Sequence, residues 1–342
     1  MLNIDSGRIS DPKVLSPSEI AHACANRDRL VVQFSRPEAY TPAILQCLNE
    51  ACRLVGGTLQ VRFYGHYGTR FDATVLRQLP EASNLAVDCL SEIDNEEEIG
   101  RLSKLRCLSL GVFELNRPDF LETINLVNLT RLVLVENRKR NIDLSPLSRC
   151  GSLEELLVNG HSKGIEAVAD LPKLRKLTLS AYAKSNRLNF ISDIACLKEL
   201  TLILGGRTNI DDLSNNSLEM LQILRVRGLT TLGDLSRLPA LAALRIEDQL
   251  QLAELDLRGA DLERLWLFNC KTLSALHGLD MQNRLREFFA SRVALDLNAL
   301  RDGDWSPTAS SVSLFSGSIK WKDDTKARLV ARGLDEKRSF WP

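Results

Sequence analysis

Cysteine and histidine are the residues of this chain best suited to metal or redox chemistry, and their spacing assigns them neither. Cys24, Cys47, Cys52, Cys89, Cys107, Cys150, Cys196 and Cys270 contain no C-x-x-C pair. His22, His66, His161 and His277 stand at no metal-ligand interval from them. A thiol that is neither paired nor activated packs as a small hydrophobe, and that is the role expected for most of these. Two glycine pairs precede a hydroxyl residue, Gly56-Gly57-Thr58 and Gly205-Gly206-Arg207-Thr208. Neither has the spacing or the lysine of a phosphate-cradling loop. No H-E-x-x-H or G-x-G-x-x-G occurs. The expectation is a protein without catalytic residues, cofactor, metal or small-molecule substrate.

The elements that would have to position any chemistry are dominated by one residue type. Of 342 residues, 62 are leucine, and 48 of these fall between Leu102 and Leu300. The apolar fraction is ordinary at 44%. No apolar run approaches the roughly 18 residues of a membrane helix, and the first residues lack the basic and apolar regions of a secretory signal. The membrane is therefore not expected as a partner. Unpaired thiols in this number suit a reducing compartment, so a cytoplasmic location is expected. Basic and acidic residues balance at 44 each, which argues against nucleic acid. The acidic run Asp94-Asn95-Glu96-Glu97-Glu98 reads as a solvated loop.

One pattern recurs: leucine, two variable residues, leucine, one variable residue, an apolar residue. It runs Leu105 to Leu110, Leu129 to Leu134, Leu153 to Val158, Leu174 to Leu179, Leu197 to Leu202, Leu221 to Val226, Leu241 to Ile246 and Leu262 to Leu267. Weaker copies cover Leu285 to Ala290 and Ala309 to Leu314. The second apolar positions step by 20 to 24 residues throughout. Alternating apolar residues put one face of a short strand into a core. Behind each strand leucines recur every third residue, as at Leu232, Leu235 and Leu238, which fits a short 3₁₀ or irregular back. A single unit cannot bury its apolar face, so stacked units must build a shared core.

These motifs resemble the leucine-rich-repeat family, and Asn141-Ile142-Asp143-Leu144-Ser145-Pro146-Leu147 looks like the back of the short, internalin-like bacterial repeats. The resemblance covers roughly Leu102 to Leu314 and implies an α/β solenoid with a parallel concave sheet and short helical or irregular convex backs. The family's Asn/Cys position is met only at Asn137 and Cys270; Phe113, His161, Tyr182, Gly205, Leu229 and Gln249 occupy it elsewhere. Backbone groups in those turns must find other partners.

The ends differ. Residues 1–100 read as longer α/β repeats and a cap, with a strand at Leu30 to Phe34, a helix from Pro42 to Leu54, and a strand at Leu59 to Phe63. A second helix at Asp72 to Leu79 precedes a strand near Leu85 to Cys89. Residues 101–316 are the repeats proper. Residues 317–342 form a C-terminal helical cap, its helix following Asp323-Asp324-Thr325 and ending before Gly333. All three are expected to continue one solenoid.

Function should then reside on the concave face. In the C-terminal half, Trp266, Phe268, Phe289 and Phe315 fall at solvent-pointing positions, with Arg225, Arg227, Arg245 and Arg264 beside them. Aromatic residues and arginine are the types that dominate protein-binding hot spots. Coverage by the C-terminal cap, or simple stacking on the arginines, would equally account for the aromatics. Glu199, Glu247 and Glu287 interrupt the basic stripe, which disfavours single-stranded nucleic acid. The resulting expectation is a non-enzymatic scaffold or inhibitor that binds a protein on its concave face, narrowed to a bacterial immunity or toxin-neutralising protein. The alternative is a secreted bacterial effector acting on host proteins, with an enzymatic role not visible in these motifs.

Overall fold

The computed structural model describes residues 4–182 and 186–334. Two compact units divide the chain, Met1–Leu174 and Arg175–Pro342.

The first unit contains β1 (Arg8–Ser10), β2 (Leu30–Phe34), β3 (Leu59–Tyr64), β4 (Phe71–Asp72), β5 (Asn84–Leu90), β6 (Ile93–Asp94), β7 (Cys107–Val112), β8 (Arg131–Leu134) and β9 (Glu155–Asn159). Seven of these pair side by side and parallel, in the order β1-β2-β3-β5-β7-β8-β9. The remaining two, β4 and β6, pair with each other. Two helices return the chain between the early strands. Helix α1 (Pro17–Cys24) opens with proline, whose missing N–H costs nothing at that position. Helix α2 (Pro42–Val55) is capped by Thr41, whose hydroxyl accepts the Ile44 N–H at 3.4 Å, and stops at Gly56 with φ +57°. It buries Ile44, Leu45, Leu48, Ala51 and Cys52. The expected helix at Asp72 to Leu79 is a 3₁₀ segment, Ala73–Gln78, capped by the Asp72 carboxylate.

Further along, the backs tighten to single 3₁₀ turns. In Ile165–Asp170 and the residue that follows it, Ile165, Val168 and Leu171 are buried at intervals of three, one inward side chain per turn.

The second unit contains β10 (Lys176–Ser180), β11 (Glu199–Ile203), β12 (Met220–Leu224), β13 (Ala243–Glu247), β14 (Glu254–Asp256), β15 (Arg264–Phe268), β16 (Ala275–His277), β17 (Glu287–Ser291) and β18 (Ser311–Phe315). The main run is again parallel, β10-β11-β12-β13-β15-β17-β18. The backs around Leu255 and Leu276 are not helical or irregular as their spacing implies; they form the short parallel pair β14–β16. Helix α3 (Leu297–Asp302) is capped by Asp296. The terminal helix α4 (Ile319–Ala331) begins at the Ser318 cap, well before the acidic residues expected to precede it. It buries only Thr325 and Leu329. Polar ties hold it: the Trp321 indole donates to Asn298 Oδ1 at 3.0 Å, and Arg332 donates to the Arg301 and Gly303 carbonyls at 2.6 Å.

Turns that lack the family's asparagine are closed by other buried polar side chains. The ring of His161 accepts the Ile142 N–H on Nδ1 at 3.1 Å and donates from Nε2 to the Val135 carbonyl at 3.1 Å. Gln249 donates to the Glu247 carbonyl at 2.8 Å, and Asn215 to those of Ile191 and Ile194 at 2.8 and 3.0 Å. At two of the positions where the family's asparagine is missing, His161 and Gln249, the side chain itself closes the turn.

Burial holds both His66 and His161 below the ordinary imidazole pKa of 6.5. His66 donates from Nδ1 to the Tyr64 carbonyl at 2.9 Å and accepts the Tyr40 hydroxyl on Nε2 at 3.0 Å. Burial, helped by Glu38 and Asp72, pushes Tyr40 up to about 12, so its proton stays available. Both rings are therefore neutral when folded, whereas the unfolded chain protonates them below pH 6.5. Their contribution to stability is complete above that pH and is lost as the pH falls through the lower folded values. Denaturation midpoints measured from about pH 7.5 to about pH 5 should fall, and His161→Asn should flatten the decline. A profile level across that window in the parent chain would contradict the neutral assignment.

Candidate functional site

On the face of the second-unit sheet, alternate residues of each strand form three columns. The register places Lys176, Glu199, Met220, Ala243, Arg264, Glu287 and Ser311 in the first. Thr178, Thr201, Gln222, Arg245, Trp266, Phe289 and Ser313 form the middle column, and Ser180, Ile203, Leu224, Glu247, Phe268, Ser291 and Phe315 the third. Their opposite neighbours, from Leu177 and Leu179 to Val312 and Leu314, are core.

The four expected aromatics all lie on this face, on three successive strands. Trp266 and Phe289 stack with centroids 3.7 Å apart and planes within 9°. Phe289 is 5.4 Å from Phe315 and 6.5 Å from Phe268. Cations stand over three of the rings. The Arg245 guanidinium stands 5.9 Å from the Trp266 centroid, Arg292 is 5.7 Å from Phe268, and Lys322 of α4 is 4.7 Å from Phe315. The cap thus reaches Phe315 through one lysine. Arg245 is held by Glu247 at 2.6 Å, and Arg264 stands opposite Glu287 in the register. Lys176 and Glu199 pair at 2.9 Å at the far end of the face.

Two expected site residues are not on this face. Strand β12 ends at Leu224, so Arg225 and Arg227 lie in the turn beyond it. The repeat here is Leu218-Glu219-Met220-Leu221-Gln222-Ile223, three residues earlier than the frame read from Leu221. Leu200 pairs with Leu221, and Leu221 with Leu244. The face residues of this repeat are Met220, Gln222 and Leu224. Arg225 instead pairs across the turn with Asp248 at 2.7 Å. The Asn269 amide and then the Arg225 guanidinium hold the Asp248 carboxyl below its usual range. Arg292 and Lys322 were missed in the sequence, since neither falls within a repeat motif.

With leucines of successive repeats stacked in one register over a parallel sheet, the architecture is decided. The chain is a leucine-rich-repeat solenoid. No protein-family model matches it, and neither does any curated protein. Among solved structures it is similar to an internalin, InlF, of Listeria monocytogenes, with 15% identity and TM-score 0.47, covering 98% of this chain and 87% of that one. It is similar to a chain of the Drosophila Toll–Spätzle complex, with 14% identity and TM-score 0.46, covering 90% and 53%. A leucine-rich-repeat protein of Leptospira interrogans gives 17% identity and TM-score 0.42, covering 96% and 93%. What makes the fold a leucine-rich-repeat fold is the chain's own register, not these likenesses.

Among the described residues, no cluster of three or more His, Cys, Asp or Glu is placed to hold a metal ion, and no helix is long and apolar enough to cross a membrane. Cys52, Cys150 and Cys270 are buried, and burial pushes their thiols up to about 12, 11 and 11. That opposes thiolate formation.

Proposed function

We propose that this leucine-rich-repeat chain is a non-enzymatic protein-binding scaffold whose partner seats on the second-unit sheet face, over Trp266, Phe268, Phe289 and Phe315, with Arg245 and Arg264 alongside. The observation that carries this reading is the half-exposed Trp266–Phe289 stack continued by Phe268 and Phe315. Clustered aromatics at a face lined by arginine are what buried anchors of protein interfaces are made of. The narrower role we propose is stoichiometric blocking, as an immunity or toxin-neutralising protein in the cytoplasm. Preorganisation supports it: the ring stack and the Arg245–Glu247 pair already fix the side chains that would meet the partner.

The test begins with affinity capture from the source cells and mass spectrometry, then titration of the identified partner. Trp266→Ala should weaken binding by about 2 kcal/mol, roughly thirtyfold, with an unchanged melting curve. Lys176→Ala, on the same face beyond the aromatics, should change affinity by less than about twofold. Normal binding with early melting in Trp266→Ala would make the aromatic structural and refute the site. Turnover of the captured partner by the purified chain would refute the non-enzymatic role.

A further inference from the structure

The turns leaving β11, β12, β13 and β15 line an open pocket of about 630 Å³ that the sheet face does not use. Leu204, Val226 and Leu250 supply its apolar wall. Val226 is 5% exposed, but Leu204 and Leu250 are 45% and 66% exposed, among the few large apolar side chains left in solvent in the described residues. Two such residues converging on one pocket differ from scattered surface leucines, which need no explanation. The volume falls within the range of about 300–1,000 Å³ typical of ligand sites, which are apolar with a few converging polar groups.

The polar groups of this pocket are unequally engaged. Asp248 already accepts from Arg225 at 2.7 Å and from the Asn269 amide. Arg227 also lines the pocket and is exposed, and among the described residues it has no carboxylate partner. The lining therefore offers apolar surface beside one uncompensated guanidinium. A divalent cation would be repelled. An apolar side chain next to an anionic group would satisfy both features. The pocket also adjoins the aromatic cluster, since the Asp248 N–H donates to the Phe268 carbonyl at 3.0 Å.

We propose that this pocket receives from the protein partner a side chain of leucine or phenylalanine size, with a neighbouring aspartate or glutamate carboxylate paired to Arg227. The proposal rests on the protein-binding reading above but assigns a second, separable contact. Arg225 then has a supporting role, holding Asp248 away from the incoming carboxylate.

The full chain should be titrated with two capped dipeptides, acetyl-Phe-Glu-amide and acetyl-Phe-Gln-amide, followed by saturation-transfer NMR. The glutamate peptide should bind about three- to fivefold more tightly, the upper part of the range of one exposed ion pair. Arg227→Gln should remove that preference while leaving the glutamine peptide unaffected. Leu250→Ser should weaken both peptides at least threefold, about what loss of a partly buried leucine contact gives. Trp266→Ala should leave both unchanged, which separates the pocket from the sheet face. Equal binding of the two peptides to the parent chain, or undiminished binding to Leu250→Ser, would overturn the proposal. A pocket that passes while Trp266→Ala fails to weaken the partner would refute the sheet-face reading alone.

Discussion

Replacing Gln282 with alanine should destabilise the second unit by about 3 kcal/mol or more. The side chain is 1% exposed and lies in the turn before β17. Its Oε1 accepts the Leu262 N–H at 2.7 Å, and its amide donates to the carbonyls of Gly278, Ala260 and Leu257 at 2.9, 3.1 and 3.3 Å. Truncation orphans an amide and several carbonyls together, each costing about 1–3 kcal/mol when water cannot reach it, and adds a cavity. Urea titration should show the midpoint fall with little change in slope. A loss under about 1 kcal/mol would mean that water replaces the side chain without penalty.

Nearly as large an effect separates two leucines three residues apart in the sequence. Leu221→Ala should cost about 2–5 kcal/mol, the range for a buried leucine leaving a cavity. Leu224→Ala should cost about 1 kcal/mol or less, because that side chain is half-buried on the sheet face. Leu221 is fully buried and continues the ladder from Leu200 to Leu244. Chemical denaturation of both variants measures the difference directly. Equal losses, or the reverse order, would refute the register and with it every face assignment in this repeat.

This pair also shows where the sequence is ambiguous. Between Leu218 and Val226, two overlapping frames satisfy leucine-x-x-leucine-x-apolar, one from Leu218 and one from Leu221. Choosing the second moves the frame by three residues, an odd number, and so exchanges inside for outside. Only pairing with β11 and β13 decides, and pairing is not a local property. The other strands were legible because an earlier frame, where one exists as from Leu102 or Leu238, ends on a small residue, Cys107 or Ala243, whereas the true frame ends on Leu110 or Ile246. The aromatic positions were legible too, since Trp266 and Phe268 alternate with Leu265 and Leu267. By contrast, β1 is three residues long with no leucine rhythm, and the start of α4 is set by a serine cap rather than by the charges that follow it. The rim pocket could not be read at all: Leu204, Arg227 and Leu250 come from three different turns, and only the stacking of repeats brings them together.

The turn-closing side chains have a consequence for how such a chain can change over generations. Arrays of interchangeable modules gain and lose copies by unequal recombination, because each module presents the same contacts to the next. Here His161 reaches back to Val135, Asn215 to Ile191, Gln249 to Ile223 and Gln282 to Leu257. The plugs are one imidazole, one asparagine and two glutamines, and each meets backbone carbonyls of the module before it. Excising or duplicating one module would set a plug against backbone groups it does not fit. Gain or loss of a single module should therefore cost stability, whereas substitutions on the face and the rim leave these contacts untouched.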